Sequence, residues 1–156
     1  MTASLSKAKP RSKGSGIVKQ CIRNRPGEPE SRALAPSSLI PQLKAGLPFA
    51  ELEQLQAGLD LPMEQLAPLL GISKATLHRR KSAGRLDAAE SDRVVRFARL
   101  LGKAASVMES LEEGRRWLTS PQVGLGGAVP LEYAETEVGA REVENLLGRI
   151  EYGVYS

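Results

Sequence analysis

One short stretch in the middle of the chain constrains the fold most, because glycines divide it into two helices of defined length. The first predicted helix covers residues 63–70 and ends at Gly71, since glycine readily adopts the left-handed conformation that closes a helix. Ser73 is a favourable N-cap for the second predicted helix, residues 74–83, and Gly84 ends that helix in turn. Two short helices joined by so tight a turn form either a simple helical hairpin or a helix-turn-helix.

The apolar residues of this stretch favour the helix-turn-helix. They repeat at helical spacing and predict a small core of Leu66, Ala67, Leu70, Ile72 and Leu77. Ala67 is small enough to let the two helices approach closely where they cross. The same spacing also occurs in helical hairpins that bind no nucleic acid, so the polar residues of the second helix decide between the two interpretations.

The second helix carries the side chains expected of a DNA recognition helix. With Leu77 facing inward, a rotation of about 100° per residue places small and polar side chains outward and long cationic side chains on the flanks. Such a helix fits the major groove, with Arg79 as the candidate for a bidentate contact to guanine and the other cations as candidates for phosphate contacts. The predicted DNA-binding residues are Ser73, Lys74, Thr76, His78, Arg79, Arg80, Lys81, Ser82 and Arg85.

Charge is distributed unevenly along the chain, although the net charge is only +4. Residues 72–86 contain five basic and no acidic side chains, and residues 1–27 contain seven basic and no acidic ones. Residues 87–156, in contrast, contain twelve acidic and eight basic side chains. Two basic segments beside an acidic remainder suggest two separate contacts with polyanions, but on charge alone solvated basic faces are the interpretation we favour.

The rest of the sequence predicts an all-α protein, in which an N-terminal helix-turn-helix bundle precedes a small, mainly helical C-terminal domain. Residues 1–35, rich in Lys, Ser, Gly, Pro and Arg, are interpreted as a flexible basic arm. Residues 36–108 form the predicted DNA-binding domain, and residues 109–156 form the C-terminal domain. A long amphipathic helix, which follows the N-cap Asp87, has an apolar stripe that serves as a core face or as the seam of a dimer. The stripe comprises Val94, Phe97, Leu101, Ala104, Met108 and Leu111.

The sequence offers no set of residues for catalysis, for metal binding or for a cofactor. The single His78 and the single Cys21 cannot assemble a zinc site or a cysteine–histidine pair. The glycines at 124, 126 and 127 lack the preceding strand of a phosphate-binding loop and are interpreted as a turn. Because no signal peptide and no membrane-spanning run is apparent, we expect a cytoplasmic, non-enzymatic protein that does not enter a membrane.

The C-terminal part of the chain is rich in aromatic residues. Four of the six aromatic side chains, Trp117, Tyr133, Tyr152 and Tyr155, lie there. Chain ends are usually polar and solvated, so this segment needs something to pack against, either its own core or another protein. We expect Trp117 and Leu118 to belong to the core. Tyr152 and Tyr155 are of the residue type that dominates protein interfaces, so we expect them to contact a partner, with packing onto the last helix as the alternative.

Two sets of motifs, taken together, indicate a family. The first set is Leu70-Gly71-Ile72-Ser73, Thr76-Leu77-x-Arg79-Arg80, Gly84-x-Leu86 and Glu90-Ser91-Asp92-Arg93. The second set is Trp117-Leu118, Pro121, Leu125-Gly126-Gly127, Pro130-Leu131, Thr136, Gly139, Val143, Leu147 and Ile150-Glu151-Tyr152-Gly153-Val154-Tyr155. In these motifs the chain resembles, over about residues 48–156, the Xre-type antitoxins that carry the Xre/MbcA/ParS toxin-binding domain.

The resemblance implies an antitoxin whose partner is a RES-domain toxin, a family of toxins that degrade NAD. Such antitoxins neutralise the toxin by binding it and, together with it, repress their own operon. We expect two contact segments, a tight turn after Gly124 and the C-terminal tail, and we expect the tail to cover the NAD cleft of the toxin. Glu151 and the terminal carboxylate would meet the cations of that cleft. The predicted toxin-binding residues are Leu125, Gly126, Gly127, Leu131, Glu151, Tyr152, Gly153, Val154, Tyr155 and Ser156.

Other assemblies and functions fit parts of the same pattern. We expect a homodimer on operator DNA, because helix-turn-helix proteins usually read paired half-sites, and a higher-order complex with the toxin. The main alternative is a free-standing transcriptional regulator whose C-terminal domain dimerises or senses a ligand, and the neighbouring reading frame distinguishes the two. A further alternative is a nucleoid-type protein without sequence preference, which predicts equal affinity for promoter and competitor DNA.

Overall fold

The structure, a computed structural model, describes residues 16–23 and 32–153. Within these ranges the chain folds into α-helices joined by short turns, and the extended pairings are limited to two isolated β-bridges. The all-α prediction is therefore confirmed. The helices are α1 (Ile17–Arg23), α2 (Pro36–Ala45), α3 (Phe49–Leu59), α4 (Met63–Leu69), α5 (Lys74–Ala83), α6 (Ala88–Val107), α7 (Leu111–Leu118), α8 (Pro130–Tyr133) and α9 (Glu137–Glu151), with 3-10 turns at Arg32–Leu34 and Val123–Leu125.

The long helix α6 lies at the centre of the fold. It begins with a capping box, in which Asp87 Oδ1 accepts the backbone N–H of Glu90 at 2.7 Å and Glu90 Oε1 accepts the N–H of Asp87 at 2.9 Å. Helices α1, α2, α3, α7 and α9 pack against it. Its apolar stripe is buried in the chain's own core from Val94 to Ala104, so this part of the stripe is a core face and not a dimer seam.

Helices α7, α8 and α9 extend the same core toward the C-terminus. Leu118 and Leu147 are fully buried there, and Trp117 packs against the core with part of its surface exposed. The prediction that Trp117 and Leu118 belong to the core is confirmed. Gly114 allows α7 to approach the backbone of α6, because a Cβ atom in its place would lie 2.6 Å from the nitrogen of Ala105.

The N-terminal region differs from the prediction. Residues 1–35 were expected to form a flexible arm, and this expectation is wrong for residues 16–23 and 32–35, which are folded onto the core. The remainder of the predicted arm, residues 1–15 and 24–31, lies outside the described residues. The buried side chains that attach the folded part are Ile17, Val18, Cys21 and Leu34.

Two long-range contacts hold α1 in place despite its short apolar sequence. Glu51 Oε1 accepts the N–H of Val18 at 2.8 Å, and Glu51 Oε2 accepts the N–H of Gly16 at 3.1 Å. This buried carboxylate thus satisfies two donors at the N-terminus of α1. Where α1 crosses α6, Gly102 leaves room for it, since a Cβ atom at this position would overlap the carbonyl oxygen of Cys21. Both contacts join residues far apart in sequence, so the local pattern does not reveal α1.

Candidate functional site

The turn between α4 and α5 has the geometry that its sequence predicts. Gly71 has a φ of +71° and donates its N–H to the carbonyl oxygen of Pro68 at 3.0 Å. Ile72 donates its N–H to the carbonyl oxygen of Ala67 at 2.9 Å, and the two bonds together form a Schellman motif. The predicted core is confirmed, with Leu66, Ala67, Leu70 and Ile72 buried and Leu77 packed against them.

Helix α5 begins and ends at the predicted residues. Ser73 Oγ accepts the N–H of Thr76 at 3.2 Å and donates to Thr76 Oγ1 at 3.0 Å. Gly84 has a φ of +78° and donates its N–H to the carbonyl oxygen of Arg80 at 2.8 Å. Ser73, which is predicted to bind DNA, therefore also caps the helix that carries the other candidates, and the half-buried Thr76 is bonded to it.

The outer face of α5 is exposed and basic. None of the residues of α5 is buried, so the whole face away from Leu77 is open to a partner. Arg79 Nη2 donates to Thr76 Oγ1 at 3.1 Å, which holds the guanidinium toward the N-terminal half of the helix. In recognition helices that half approaches the base edges. The predicted residues on the exposed surface are Ser73, Lys74, His78, Arg79, Lys81, Ser82 and Arg85.

Arg80 does not share this exposed face. Its Nε donates to Glu90 Oε1 at 2.8 Å, and its Nη2 donates to Asp87 Oδ2 at 3.2 Å. The hydrogen bond to Glu90, more than any other effect, raises the pKa of Arg80 above its ordinary value, and the nearby charges of Glu90 and Asp87 add to that increase. The predicted phosphate contact at this position is thus engaged within the chain, a consequence of the capping box that starts α6.

Arg85 is exposed, and one end of its side chain is also held within the chain. Its Nη1 donates to the carbonyl oxygen of Gly46 at 2.6 Å. The backbone at Arg85 forms the β-bridge with Pro48, and Leu86 donates its N–H to the carbonyl oxygen of Leu47 at 2.9 Å. These bonds tie the segment after α5 to the segment before α3 and so frame the helix-turn-helix as one unit.

The loop between α7 and α8 forms the predicted turn. Gly126 and Gly127 have φ values of +67° and +88°, which only glycine adopts readily. Gln122 donates its N–H to the carbonyl oxygen of Ala128 at 3.0 Å, and Gly127 donates to the carbonyl oxygen of Gln122 at 2.9 Å. The turn is therefore closed by its own backbone, and its tip does not depend on a partner for its shape.

This turn packs on the last helix, which brings two separate predicted contact segments to one region. A Cβ atom at Gly124 would lie 2.7 Å from Leu146 Cδ1, so α9 and the turn are in direct contact there. The last residue of α9, Glu151, lies about 8 Å beyond Leu146 along the helix axis, because an α-helix rises 1.5 Å per residue. Tyr152 is 80% exposed at that end, and Glu151 and Gly153 are exposed beside it.

Leu131 differs from the other predicted toxin contacts. Its side chain is only 1% exposed and belongs to the core. It is therefore not accessible to a partner in this structure, and the prediction of a contact there is corrected to a core position. Leu125 is partly buried, whereas Gly126 and Gly127 are exposed. Val154, Tyr155 and Ser156 lie outside the described residues.

One exposed apolar residue in this region was missed from the sequence. Val123, the first residue of the 3-10 turn, is 96% exposed. The sequence around Val123 could have indicated this exposure, because a branched apolar residue between Pro121 and Gly124 has few neighbours in sequence to pack against. Val123, next to the glycine turn, and Tyr152, at the end of α9, are therefore both large side chains exposed to solvent.

No group of three or more metal-ligating side chains occurs among the residues that the structure describes. In the same ranges, none of the helices combines the length and the apolar character needed to cross a membrane.

The chain matches two family descriptions, one on each side of residue 100. Residues 38–99 match the Antitoxin Xre-like helix-turn-helix domain, and residues 103–153 match the Antitoxin Xre/MbcA/ParS C-terminal toxin-binding domain. An Antitoxin Xre of Yersinia enterocolitica is 32% identical over 133 residues, which cover 83% of this chain and 87% of the relative. The chain belongs to the Xre antitoxin family.

Further relatives of this Xre-family antitoxin agree with that assignment. An Antitoxin Xre of Photorhabdus laumondii is 34% identical over 127 residues, 78% of this chain and 86% of the relative. A protein of a Sphingobium strain named Prs ADP-ribosylating antitoxin is 24% identical over 132 residues, 78% of this chain and 83% of the relative. The match to the helix-turn-helix domain contains α5 with its basic face, and the match to the toxin-binding domain contains the turn after Gly124 and the end of α9.

Proposed function

We propose that this antitoxin binds a RES-domain toxin, covers the site at which that toxin degrades NAD, and represses its own operon through α5. The observation that carries the toxin half is the contact between Gly124 and Leu146. It places the glycine turn beside the end of α9, within the range that matches a toxin-binding domain. We propose that these two segments, far apart in sequence, form one candidate toxin surface, comprising Val123, residues 125–127 and residues 151–153.

The composition of the candidate toxin surface suits a tight protein contact. Val123 and Tyr152 supply apolar and aromatic area that is exposed in the free chain. The backbone bonds that close the glycine turn mean that little conformational entropy is lost there on binding. Glu151 adds a negative charge that complements the cations expected where a toxin holds the phosphates of NAD.

The exposed face of α5 supports the DNA half of the proposal. It presents Arg79 and Lys74 on a helix held at the geometry of a helix-turn-helix, inside the range that matches that domain. We propose that two copies bind paired half-sites of an operator, and that the toxin joins them in a higher-order complex. In this proposal the antitoxin acts in the cytoplasm and by binding alone, without a catalytic activity of its own.

A second candidate for the toxin chemistry comes from the Sphingobium relative, whose name refers to ADP-ribosylation of Prs. A toxin of that kind would transfer ADP-ribose from NAD to a protein. In the first candidate reaction water is the acceptor, so that free ADP-ribose is formed. Both consume NAD and release nicotinamide, so NAD loss alone does not distinguish them. NAD labelled in the adenine ring does, because the label ends on a protein in the second case and in free ADP-ribose in the first.

The test of the toxin surface uses two exposed valines of the same chain. The antitoxin is co-expressed with the product of the neighbouring gene, and complex formation and cellular NAD are measured for wild type, Val123→Asp and Val138→Asp. Val138 is 77% exposed near the start of α9, at the other end of that helix, so its variant controls for a new surface charge. We expect Val123→Asp to lower NAD, and wild type and Val138→Asp to preserve it.

Deletion of Tyr152 to Ser156 examines the tail in the same assay, and we expect it to release NAD loss as well. The proposed surface is wrong if Val123→Asp and the truncated chain both neutralise as fully as wild type. If no complex forms with the neighbouring product, yet the chain still recognises the DNA upstream of its gene, a free-standing regulator replaces the antitoxin proposal.

A further inference from the structure

Helix α5 is the element proposed to read DNA, yet burial contributes little to holding it. None of its residues is buried, and Leu77 is its one apolar contact with the core among the described residues. A helix that reads base edges has to be held in a fixed direction, because a bidentate contact to a base tolerates little misalignment. Polar contacts from outside the helix therefore have to set its orientation.

We propose that Glu90, acting through Arg80, is a positioning residue that fixes the orientation of α5 on the DNA, and that Arg80 does not bind phosphate. This inference rests on the proposed DNA binding of α5. Glu90 Oε1 accepts two hydrogen bonds, from Arg80 Nε at 2.8 Å and from the N–H of Asp87 at 2.9 Å. The carboxylate that completes the cap of α6 thus also holds the last turn of α5.

A second polar contact from α6 holds the other end of the recognition unit. Arg93 Nη1 donates to the carbonyl oxygen of Leu70 at 3.1 Å, and the same nitrogen lies 3.1 Å from where a Cβ atom of Gly71 would be. Arg93 thus lies over the turn that precedes α5, while Glu90 holds the end of α5. With only one of these contacts, α5 could rotate about the point of attachment. Two contacts to the same rigid helix, α6, fix the direction of the α5 axis.

The environment of Glu90 makes this contact persistent. The residue is only 5% exposed, so salt in the solvent screens its attraction to Arg80 less than it screens a surface pair. It belongs to α6, a helix of 20 residues whose middle is buried in the core. The contact therefore fixes α5 relative to the core. The ion pairs of Arg116 with Glu112 and Glu113 differ from it, because they lie on the exposed surface of a single helix, α7.

The local charge argues against a phosphate at Arg80. The two carboxylates of Asp87 and Glu90 surround one guanidinium, so the cluster carries one net negative charge. Such a cluster does not attract a phosphate, and two of the donor nitrogens of Arg80 are already occupied. Lys81, the next residue, is exposed and forms the natural comparison, since its ammonium group is available to the DNA backbone.

A salt titration distinguishes a positioning residue from a phosphate contact. Wild type, Glu90→Gln, Arg80→Gln, the double variant and Lys81→Ala are titrated against the DNA upstream of their own gene and against a scrambled duplex of equal length. Loss of one phosphate contact lowers the slope of log affinity against log salt by about 0.9 and weakens binding to both duplexes. Loss of orientation weakens binding to the specific duplex and leaves the slope unchanged.

We expect Glu90→Gln and Arg80→Gln each to reduce affinity for the upstream DNA about tenfold, in line with the loss of a charged hydrogen bond, and to leave the scrambled duplex unaffected. The double variant should be no weaker than either single one. Lys81→Ala should show the phosphate pattern. Glutamine at position 90 keeps an oxygen that accepts the N–H of Asp87, so the N-terminal cap of α6 is retained. Thermal unfolding of each variant checks that the fold remains stable.

Two results of the DNA titrations would overturn the inference while leaving DNA binding intact. One is a lower salt slope for Arg80→Gln with an unchanged ratio of specific to scrambled affinity, and the other is tighter binding by Glu90→Gln. Hydrogen exchange without DNA gives an independent measurement, since Glu90→Gln should speed exchange in residues 74–84 and leave residues 94–104 protected. Unchanged exchange in α5 refutes the positioning role, whereas a wild type that does not prefer its upstream DNA refutes the proposed operator binding.

Discussion

The buried polar side chains of the described chain share one task, which is to join a helix terminus to a distant segment. Glu51 of α3 accepts two backbone donors at the start of α1, and Glu90 holds both Asp87 and Arg80. Ser91 accepts the N–H of Leu47 at 2.8 Å and donates to the carbonyl oxygen of Asp87 at 2.6 Å. None of the buried side-chain polar atoms of the described residues lacks a hydrogen-bond partner, so removing Glu51 or Ser91 leaves a buried backbone N–H, that of Val18 or Leu47, without an acceptor.

Glu51 gives the sharpest test at the scale of a residue. Glu51→Ala leaves the buried N–H of Val18 and the part-buried N–H of Gly16 without an acceptor, so we expect the free energy of unfolding to fall by about 1–3 kcal/mol. Glu53→Ala, on the exposed face of the same helix, should change stability by less than about 0.5 kcal/mol. Chemical denaturation of both variants measures the difference, and equal stabilities would contradict the role given to Glu51.

At the scale of elements, the close approach of α1 to α6 depends on the absence of a side chain at Gly102. Gly102→Ala would press a methyl group onto the backbone at Cys21 and displace α1, at a cost of about 1–3 kcal/mol. Gly148→Ala is the matched control, since a Cβ atom there meets nothing closer than Lys103 Nζ at 3.9 Å. Alanine favours a helix interior, so this variant should gain roughly 0.5–1 kcal/mol. In thermal unfolding, Gly148→Ala should have the highest midpoint temperature, wild type an intermediate one and Gly102→Ala the lowest. Any other order would refute this packing.

The two kinds of cation on α5 should behave differently on DNA. Arg79→Ala should cost about 1–3 kcal/mol on the upstream DNA and relax the preference at one base pair, because a bidentate base contact is lost. Lys74→Ala should instead lower the salt slope by about 0.9 and weaken binding to all sequences alike. Competition between single-base variants of the duplex measures the first effect and a salt titration the second. Equal losses on random and upstream DNA for Arg79→Ala would refute its role as a base reader.

The elements show which parts of the fold the sequence could predict. The residues that start and end helices, Gly71, Ser73, Gly84 and Asp87, act on neighbours within a few positions, so their roles followed from local rules. Helix α1 was missed because its stability comes from contacts with remote residues of α3 and α6.

The same distinction applies to the candidate sites. The outer face of α5 was predicted by helical spacing, but the engagement of Arg80 by Glu90 depends on how α5 and α6 meet in space. The glycine turn was predicted from its residues, whereas the burial of Leu131 follows from the direction in which α8 packs. Contacts that cross between elements were therefore the ones that the sequence did not reveal.

At the scale of the whole molecule, α6 links the two candidate surfaces. Its first turns hold α5 through Glu90 and the turn before α5 through Arg93, and its second half packs against α7. The matches to the two family domains meet within this helix, between residues 99 and 103. The helix-turn-helix and the C-terminal helices consequently share one apolar core, and we expect them to unfold in one cooperative transition.

The shared core also includes the N-terminal helix, and two shortened chains test this. A chain that begins at residue 16 keeps α1, whereas a chain that begins at Pro36 loses α1 and the 3-10 turn and exposes the groove that they fill. Each buried aliphatic side chain stabilises the fold by about 1.5–3 kcal/mol, so the loss of Ile17, Val18 and Leu34 should cost roughly 4.5–9 kcal/mol. That is comparable with the total stability of a small domain. We expect the shorter chain to lose its cooperative thermal transition and the longer one to keep it, and coincident melting curves would show that α1 is dispensable.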